Sequence, residues 1–413
     1  MCSSAIDRPI RPLLELENPV RPYVWGSLDF IPELLGVPPS GEPAAEMWIG
    51  AHPTAPSRVP LLDSTLLDLI AAAPEATLGV ETMSVFGARL PFLVKILAAA
   101  SPLSIQTHPT WEQAQAGHLA ENSRGLAGND PGRSYPDANH KPELICALTD
   151  FDALVGFRDI SASADLLRTL VDHGAELLAG KPGRLIAHGG LRALVTEILT
   201  APASKGRELL DSVIPACVSV AAQGGRWSVE CATAAELAEM FPGDAGAVLA
   251  LLLNRVRLTP GEAMFLSAGR IHAYLRGAGV EVMASSDNVL RCGLTAKHVD
   301  VAELLRVLDF TTDDARPVRA VSDGLLLRYP APVGDFVLSL AELAAGDRIV
   351  LPAAGPRIVL CTGGTVRLSA IGAEDYADEM LLTSGRAAFL AAGYGLALAG
   401  PGRVFVTTTD PAR

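Results

Sequence analysis

Three fragments of this chain carry side chains whose types and spacing suit chemistry. The run Tyr135-Pro-Asp-Ala-Asn-His-Lys-Pro-Glu143 sets His140, Lys141 and Glu143 within four residues, just before apolar Leu144, Ile145, Ala147 and Leu148. Ionisable groups beside a buried strand are costly unless a metal or a charged ligand compensates them. The second fragment, Leu103-Ser-Ile-Gln-Thr-His108, reads as a strand. Its alternation puts Ser104, Gln106 and His108 on one face, and Leu103 and Ile105 on the other. A polar strand face with ordinary hydrogen bonds is the rival reading of that fragment. In the third, the Pro260-Gly-Glu262 turn leads into an apolar strand, then a turn at Gly269, then His272. A lone histidine is more often structural than a ligand. Taken together, Gln106, His108, Glu143 and His272 offer two imidazoles, a carboxylate and an amide oxygen. That set suits one zinc-type ion with a position left open for water or substrate. His140 is a further candidate, either as support for a ligand or facing the substrate.

These side chains need strands to hold them. From residue 10 to about 155 the sequence reads as short strands broken by Pro and Gly, with Pro91–Leu97 and Leu103–His108 the clearest. Residues 109–139, including the Asn129-Asp-Pro-Gly-Arg stretch, read as one short helix and a long loop. From about 160 to 255 the period becomes helical, as in Leu166, Leu167 and Leu170 and in Leu191, Leu194, Val195 and Ile198. Thr233-Ala-Ala-Glu236 fits a capping box opening a helix over Leu237, Met240 and Phe241. Strands return after Thr259, with a short helix expected over 300–309. Gly-punctuated strands such as Arg357–Cys361 and Val404–Thr407 follow, suggesting a sandwich or barrel.

A chain of 413 residues exceeds one core, so two or three domains are expected. Hydrophobic residues make up 49% and charged residues 19%, the balance of an ordinary globular protein. A formal net charge of -13 argues against nucleic acid as a general partner. It leaves room for a small anion, because a local cluster of Lys and Arg can reverse the field in one pocket. No apolar run is long enough to span a bilayer, and the first residues lack the pattern of a secretory signal. The cysteines Cys2, Cys146, Cys217, Cys231, Cys292 and Cys361 form no paired pattern. A reduced, cytoplasmic protein is the simplest expectation.

In five blocks the sequence resembles the type I phosphomannose isomerases. The blocks are Tyr23-Val-Trp-Gly26, Glu46-Met-Trp-Ile-Gly-Ala-His-Pro53, Leu90–Lys95 with Leu103–Pro109, Tyr135–Glu143, and Gly269–Tyr274 through Glu281 to Asn288-Val-Leu-Arg-Cys-Gly-Leu-Thr-Ala-Lys297. They fall in order across residues 20–300, while the last hundred residues match only in strand texture. The resemblance implies a mainly β protein with an α insertion. Its parts would be a cupin-type catalytic jelly roll (1–158 with 256–312), a helical domain (159–255) and a second cupin-like β domain (313–413). It implies one zinc ion on Gln106, His108, Glu143 and His272, and a catalytic role for Arg291. Ala51 stands where Thr is common in the family, and Cys292 where Ala or Ser is common. The implied reaction interconverts mannose 6-phosphate and fructose 6-phosphate by moving a proton between C2 and C1 through an enediol.

Three needs follow from that reaction: stabilised oxygens, a base, and a grip on the phosphate. Lys141 is a candidate for proton transfer or for binding a substrate oxygen. Glu281 and Asp287 are each candidate proton carriers, or structural partners that orient Arg291. Arg291 could stabilise the enediolate or bind phosphate. Ser104, Lys95 and Lys297 are candidate phosphate and hydroxyl contacts, and Trp25 and Glu46 candidate walls of the sugar pocket. The rival reading is a metal-binding cupin-like protein with a non-catalytic or regulatory sugar-phosphate role, which the presence of Lys141, Arg291 and Lys297 disfavours. A metal hydrolase or oxygenase is another rival, since two His and one carboxylate also suit iron. A small sugar phosphate is the expected partner, without nucleic acid or membrane, and the chain is expected to act as a monomer.

Overall fold

The computed structural model describes residues 11–128, 130–372 and 378–413. The start of the chain with Cys2, and Asn129 of the long loop, lie outside them. Alternation builds the sheet that carries the site. Its strands include Glu46–Ile49, Phe92–Ala99, Glu143–Ala147 and His272–Ala284. On one face Met47, Ile49, Val94, Ile96, Leu144, Cys146, Val280 and Val282 pack against Phe336, Leu338, Phe389 and Phe405 of the C-terminal sheet. Each such side chain contributes on the order of 1.5–3 kcal/mol when fully buried, so the two β units are held by one shared core. Period two then puts Glu46, Trp48, Lys95, Glu143 and Glu281 on the other face.

The sheet runs Leu253–Leu258, Phe151–Phe157, His272–Ala284, Phe92–Ala99, Glu46–Ile49, Val20–Arg21. Ala263–Leu266 flanks Glu143–Ala147, and Leu290–Gly293 flanks Ile105–Thr107. The His272 strand serves two walls. Residues 272–276 pair with Phe151–Phe157, and residues 277–284 with Phe92–Ala99 and Glu143–Ala147. The change of direction falls at Gly277, whose φ of 119° and 2.5 Å approach to the Asp150 carbonyl (measured from an ideal Cβ) leave no room for a side chain. The C-terminal unit repeats the device. Within Arg357–Ile371, residues up to Gly364 pair with Gly402–Thr408 and later ones with Asp378–Thr383. Gly364 (φ 73°) marks that bend. The architecture is mainly β with an α insertion, as expected. One strand crosses over: Leu13–Leu16 pairs with Ala387–Leu390, so the N-terminal segment joins the C-terminal sheet.

Helices between Ile160 and Leu252 bury Leu166, Leu170, Leu194, Val213 and Leu237. They share this core with Ile271, Ala273, Leu290 and Cys292 from the site strands. Two sequence expectations need correction. Thr233 does not open a helix: the helix spans Ser228–Met240, and the Thr233 hydroxyl donates to the Val229 carbonyl one turn back. The stretch 10–155 is not strands alone, for it holds helices Phe30–Leu35, Leu66–Ala72 and Pro74–Phe86. Their punctuation was present: Thr65 caps through Asp68 N, and Pro74 sits at a helix start. The helix after His108 runs Trp111–Ser123 behind a capping box of Thr110 and Gln113. Among the described residues no helix is long and apolar enough to cross a membrane.

Candidate metal centre

Strand register assembles three ligands from distant parts of the chain. His272 lies opposite Gln106, and Glu143 opposite both Met283 and Leu266. His108 follows directly on the Ile105–Thr107 strand. His108 Nε2 lies 3.3 Å from Glu143 Oε1, and His272 Nε2 lies 3.5 Å from Glu143 Oε2. One donor atom from each residue falls within a 4.8 Å cluster. Gln106 adds its amide end, 3.4 Å from His272 Nε2.

The outward nitrogens are tied down. His108 Nδ1–H donates to the Asn288 carbonyl at 2.7 Å, and His272 Nδ1–H donates to the Arg270 carbonyl at 3.0 Å. These carbonyls accept only, so each ring keeps its Nε2 lone pair turned inward. His108 Nε2 and Glu143 Oε2 are buried without a hydrogen-bond partner among the described residues. Buried polar atoms left so need an explanation. A divalent cation held by the two imidazoles, the carboxylate and the amide oxygen would supply it, so the residues present fit the metal. Burial drives the His108 imidazole down to about 4, helped by Lys141 and His272 and opposed by Glu143. Burial alone would raise the Glu143 carboxyl, yet Lys141 and His108 hold it well below its usual range. Lys141 Nζ lies 3.1 Å from Glu143 Oε1.

A second buried cluster adjoins the first. Lys95 sits opposite Glu281 on one neighbouring strand and Trp48 on the other. Its Nζ lies 3.3 Å from Glu281 Oε2 and 3.6 Å from Glu46 Oε2, 5.2 Å from the Trp48 ring centre. The Tyr274 hydroxyl donates to Glu281 Oε1 and Trp48 Nε1–H donates to Glu46 Oε2. Burial opposes the charge on Lys95, but Glu46, Glu281 and Glu143 outweigh it and raise the ammonium above its ordinary range. Burial also raises Glu281, with Lys95 opposing and Glu143 and Glu46 adding. Lys95 is thus held by two carboxylates, and Glu46 is tied to both Lys95 and Trp48.

The remaining candidates divide. Arg291 stands opposite Gln106, so its side chain leaves the sheet on the side of that ligand. Among the described residues its guanidinium makes no ion pair or side-chain hydrogen bond. Burial lowers its pKa, and Lys297 is lowered by burial and then by Arg291. Lys297 is exposed, and a cation there adds positive potential on the Arg291 side of the site. Ser104 is half-buried on the turn into the Gln106 strand. Trp25 is half-buried, stacks on Tyr23 at 5.7 Å and packs beside Leu97, Ile145 and Tyr274. Neither acid orients Arg291, a correction to that alternative: Glu281 holds Lys95 and Tyr274, and Asp287 pairs with His52 at 3.3 Å. Burial would raise Asp287, but His52, Lys141 and Lys95 hold it below its usual range. His140 lies away from the ligands, against Asp335.

Several working residues escaped the sequence reading. Asn288 combines its carbonyl on His108 with side-chain donation to the carbonyls of Asp137 and Asn139. Asp137 gathers Ser286 Oγ, Asn139 N and Asp287 N. His52 is buried, with Thr54 N–H donating to Nδ1 at 3.3 Å, which leaves Nε2–H to donate to Asp287. Their only sequence signal was membership of the Tyr135–Glu143, Glu46–Pro53 and Asn288–Lys297 blocks.

Fold and site together define a cupin-type metalloprotein whose ligands come from the strands of one sheet. Family models agree: the catalytic domain of type I phosphomannose isomerases matches residues 13–160, and the C-terminal domain matches residues 326–372. The chain belongs to the type I phosphomannose isomerase family. The mannose-6-phosphate isomerase of Escherichia coli (strain K12) is 37% identical over 387 residues, covering 92% of this chain and 94% of that protein. The Salmonella typhimurium (strain LT2) enzyme of that name is 40% identical over 336 residues, 80% of this chain and 84% of that one. A crystal structure of a zinc-bound mannose 6-phosphate isomerase superposes with a TM-score of 0.86 at 34% identity, covering 97% of this chain and 100% of that one.

Proposed function

We propose that this chain is a zinc-dependent isomerase interconverting mannose 6-phosphate and fructose 6-phosphate. The observation that carries it is the buried donor set with His108 Nε2 and Glu143 Oε2 left unpartnered among the described residues, with Arg291 opposite Gln106 on the neighbouring strand. Gln106, His108, Glu143 and His272 would hold the zinc. When bound, it supplies a Lewis acid for the sugar oxygens. Arg291 stabilises negative charge developing on the enediolate, and Lys297 takes the phosphate with Ser104 as a hydroxyl contact. Asp287 is the half-exposed acid held ionised, and it moves the proton between C2 and C1. Lys141 donates to a substrate oxygen. Glu281 and Glu46 keep Lys95 in place, and Trp25 flanks the sugar.

We also propose the division into 1–158 with 256–312, 159–255 and 313–413; the two sheets and the helical block support it, and the pairing of Leu13–Leu16 with Ala387–Leu390 crosses it. The chain is taken to act as a monomer. The cysteines of the described residues are free and buried, which supports the cytoplasm. A coupled assay following fructose 6-phosphate from mannose 6-phosphate tests the reading. Turnover by the zinc-loaded protein is expected; its absence overturns the proposal.

A further inference from the structure

The run Asn139–Pro142 has no regular secondary structure, yet it delivers Lys141 to the metal ligands. Side-chain ties must therefore fix it. One end is held by Asp137, Ser286 and Asn288, and the other by the strand that begins at Glu143. The middle is held from another domain. His140 Nε2 lies 3.0 Å from both Oδ1 and Oδ2 of Asp335. Asp335 is only 4% exposed and precedes the Val337–Leu343 strand of the C-terminal sheet. Its neighbour Phe336 is locked into the core shared by the two sheets. Trp111 closes over the imidazole edge-on, 4.7 Å between ring centres.

We propose that Asp335 is a positioning residue: through His140 it lets the C-terminal β domain set the place of Lys141 at the metal centre. The inference rests on the proposed isomerase reading for its consequence in turnover, though not for its geometry. The buried Asp335 carboxylate accepts the one Nε2–H of His140 between its two oxygens, a charge-assisted bond that fixes the imidazole beside the carboxylate. Pro142 stiffens the backbone between His140 and Glu143, so a shift of the imidazole is passed along the run and not absorbed. The C-terminal domain, which carries no proposed ligand, thereby gains a part in the chemistry.

The test compares Asp335→Asn, His140→Asn and the double variant with Tyr329→Phe, all as zinc-loaded full chains. Tyr329 also ties the two sheets, its hydroxyl donating to the Gly261 carbonyl at 2.6 Å, far along the chain from the site run. Two readouts are taken: kcat and KM, and hydrogen exchange of the peptide 136–142. Asp335→Asn is expected to lower kcat by roughly 10–100-fold with a smaller change in KM, the usual range when support behind a metal site is lost. The double variant should be no worse than the worse single, as for two members of one contact. Exchange of 136–142 should rise in Asp335→Asn and stay unchanged in Tyr329→Phe. If Tyr329→Phe loses as much, or Asp335→Asn leaves exchange and kcat unchanged, Asp335 is plain domain glue and the proposal fails. If the unmodified chain does not turn over, the isomerase reading fails while the exchange result still decides for or against Asp335.

Discussion

Replacing Lys95 by Met removes the one cation from between Glu46 and Glu281. At an effective dielectric near 20, the pair distances of 3.3 and 3.6 Å correspond to roughly 5 kcal/mol of attraction each. Much of that is offset by the desolvation that burial imposes, and removing one partner of such a buried pair costs about 3–5 kcal/mol. The variant can recover part of this by protonating a carboxylate. Glu281 is already raised by burial, with Glu143 and Glu46 adding, and loss of Lys95 raises it further. A carboxyl raised in the folded state above its unfolded value destabilises fully above the folded pKa, and the penalty fades as pH falls through it. The deficit should therefore be largest near about pH 8 and smaller near about pH 5.5. Urea unfolding followed by tryptophan emission measures it, since Trp48 touches the cluster. A deficit below about 1 kcal/mol at the higher pH, or one that does not shrink at the lower pH, would refute the reasoning.

In the metal-free protein, His108 should stay neutral with its proton on Nδ1 at about pH 5.5, where a solvent-exposed histidine is mostly charged. Nitrogen NMR of the imidazole reads this, and a charged His108 there would contradict both its burial and its bond to the Asn288 carbonyl. Gly277→Ala should destabilise the catalytic unit by more than about 2 kcal/mol, combining a positive φ with backbone overlap at Asp150. Thermal unfolding near that of the unchanged protein would show that the strand does not need its bend.

His108, Glu143 and His272 were legible in the sequence because they sit at the ends of strands, where flanking apolar residues mark a face: Glu143 and His272 begin theirs, and His108 follows Ile105–Thr107. The Lys95 cluster was not legible, because Glu46, Lys95 and Glu281 meet only through cross-strand register, which no local pattern encodes. For that reason the pairing of Lys95 with Glu46 and Glu281 could not be read from its own apolar strand. The sequence left His140 as either support for a ligand or a group facing the substrate, because its partner Asp335 lies 195 residues away, just before a strand of the other sheet. Thr233 shows the opposite error, where a capping pattern occurred inside a helix that had already begun.

The most direct test of the central claim is a zinc titration. Chelated protein is assayed on mannose 6-phosphate as zinc is returned, with bound metal counted by elemental analysis. Turnover should vanish on chelation and return in proportion to zinc, saturating at one ion per chain, and Glu143→Gln should neither retain the ion nor recover. Full turnover in the stripped protein, or saturation of the ion without turnover, would contradict the account.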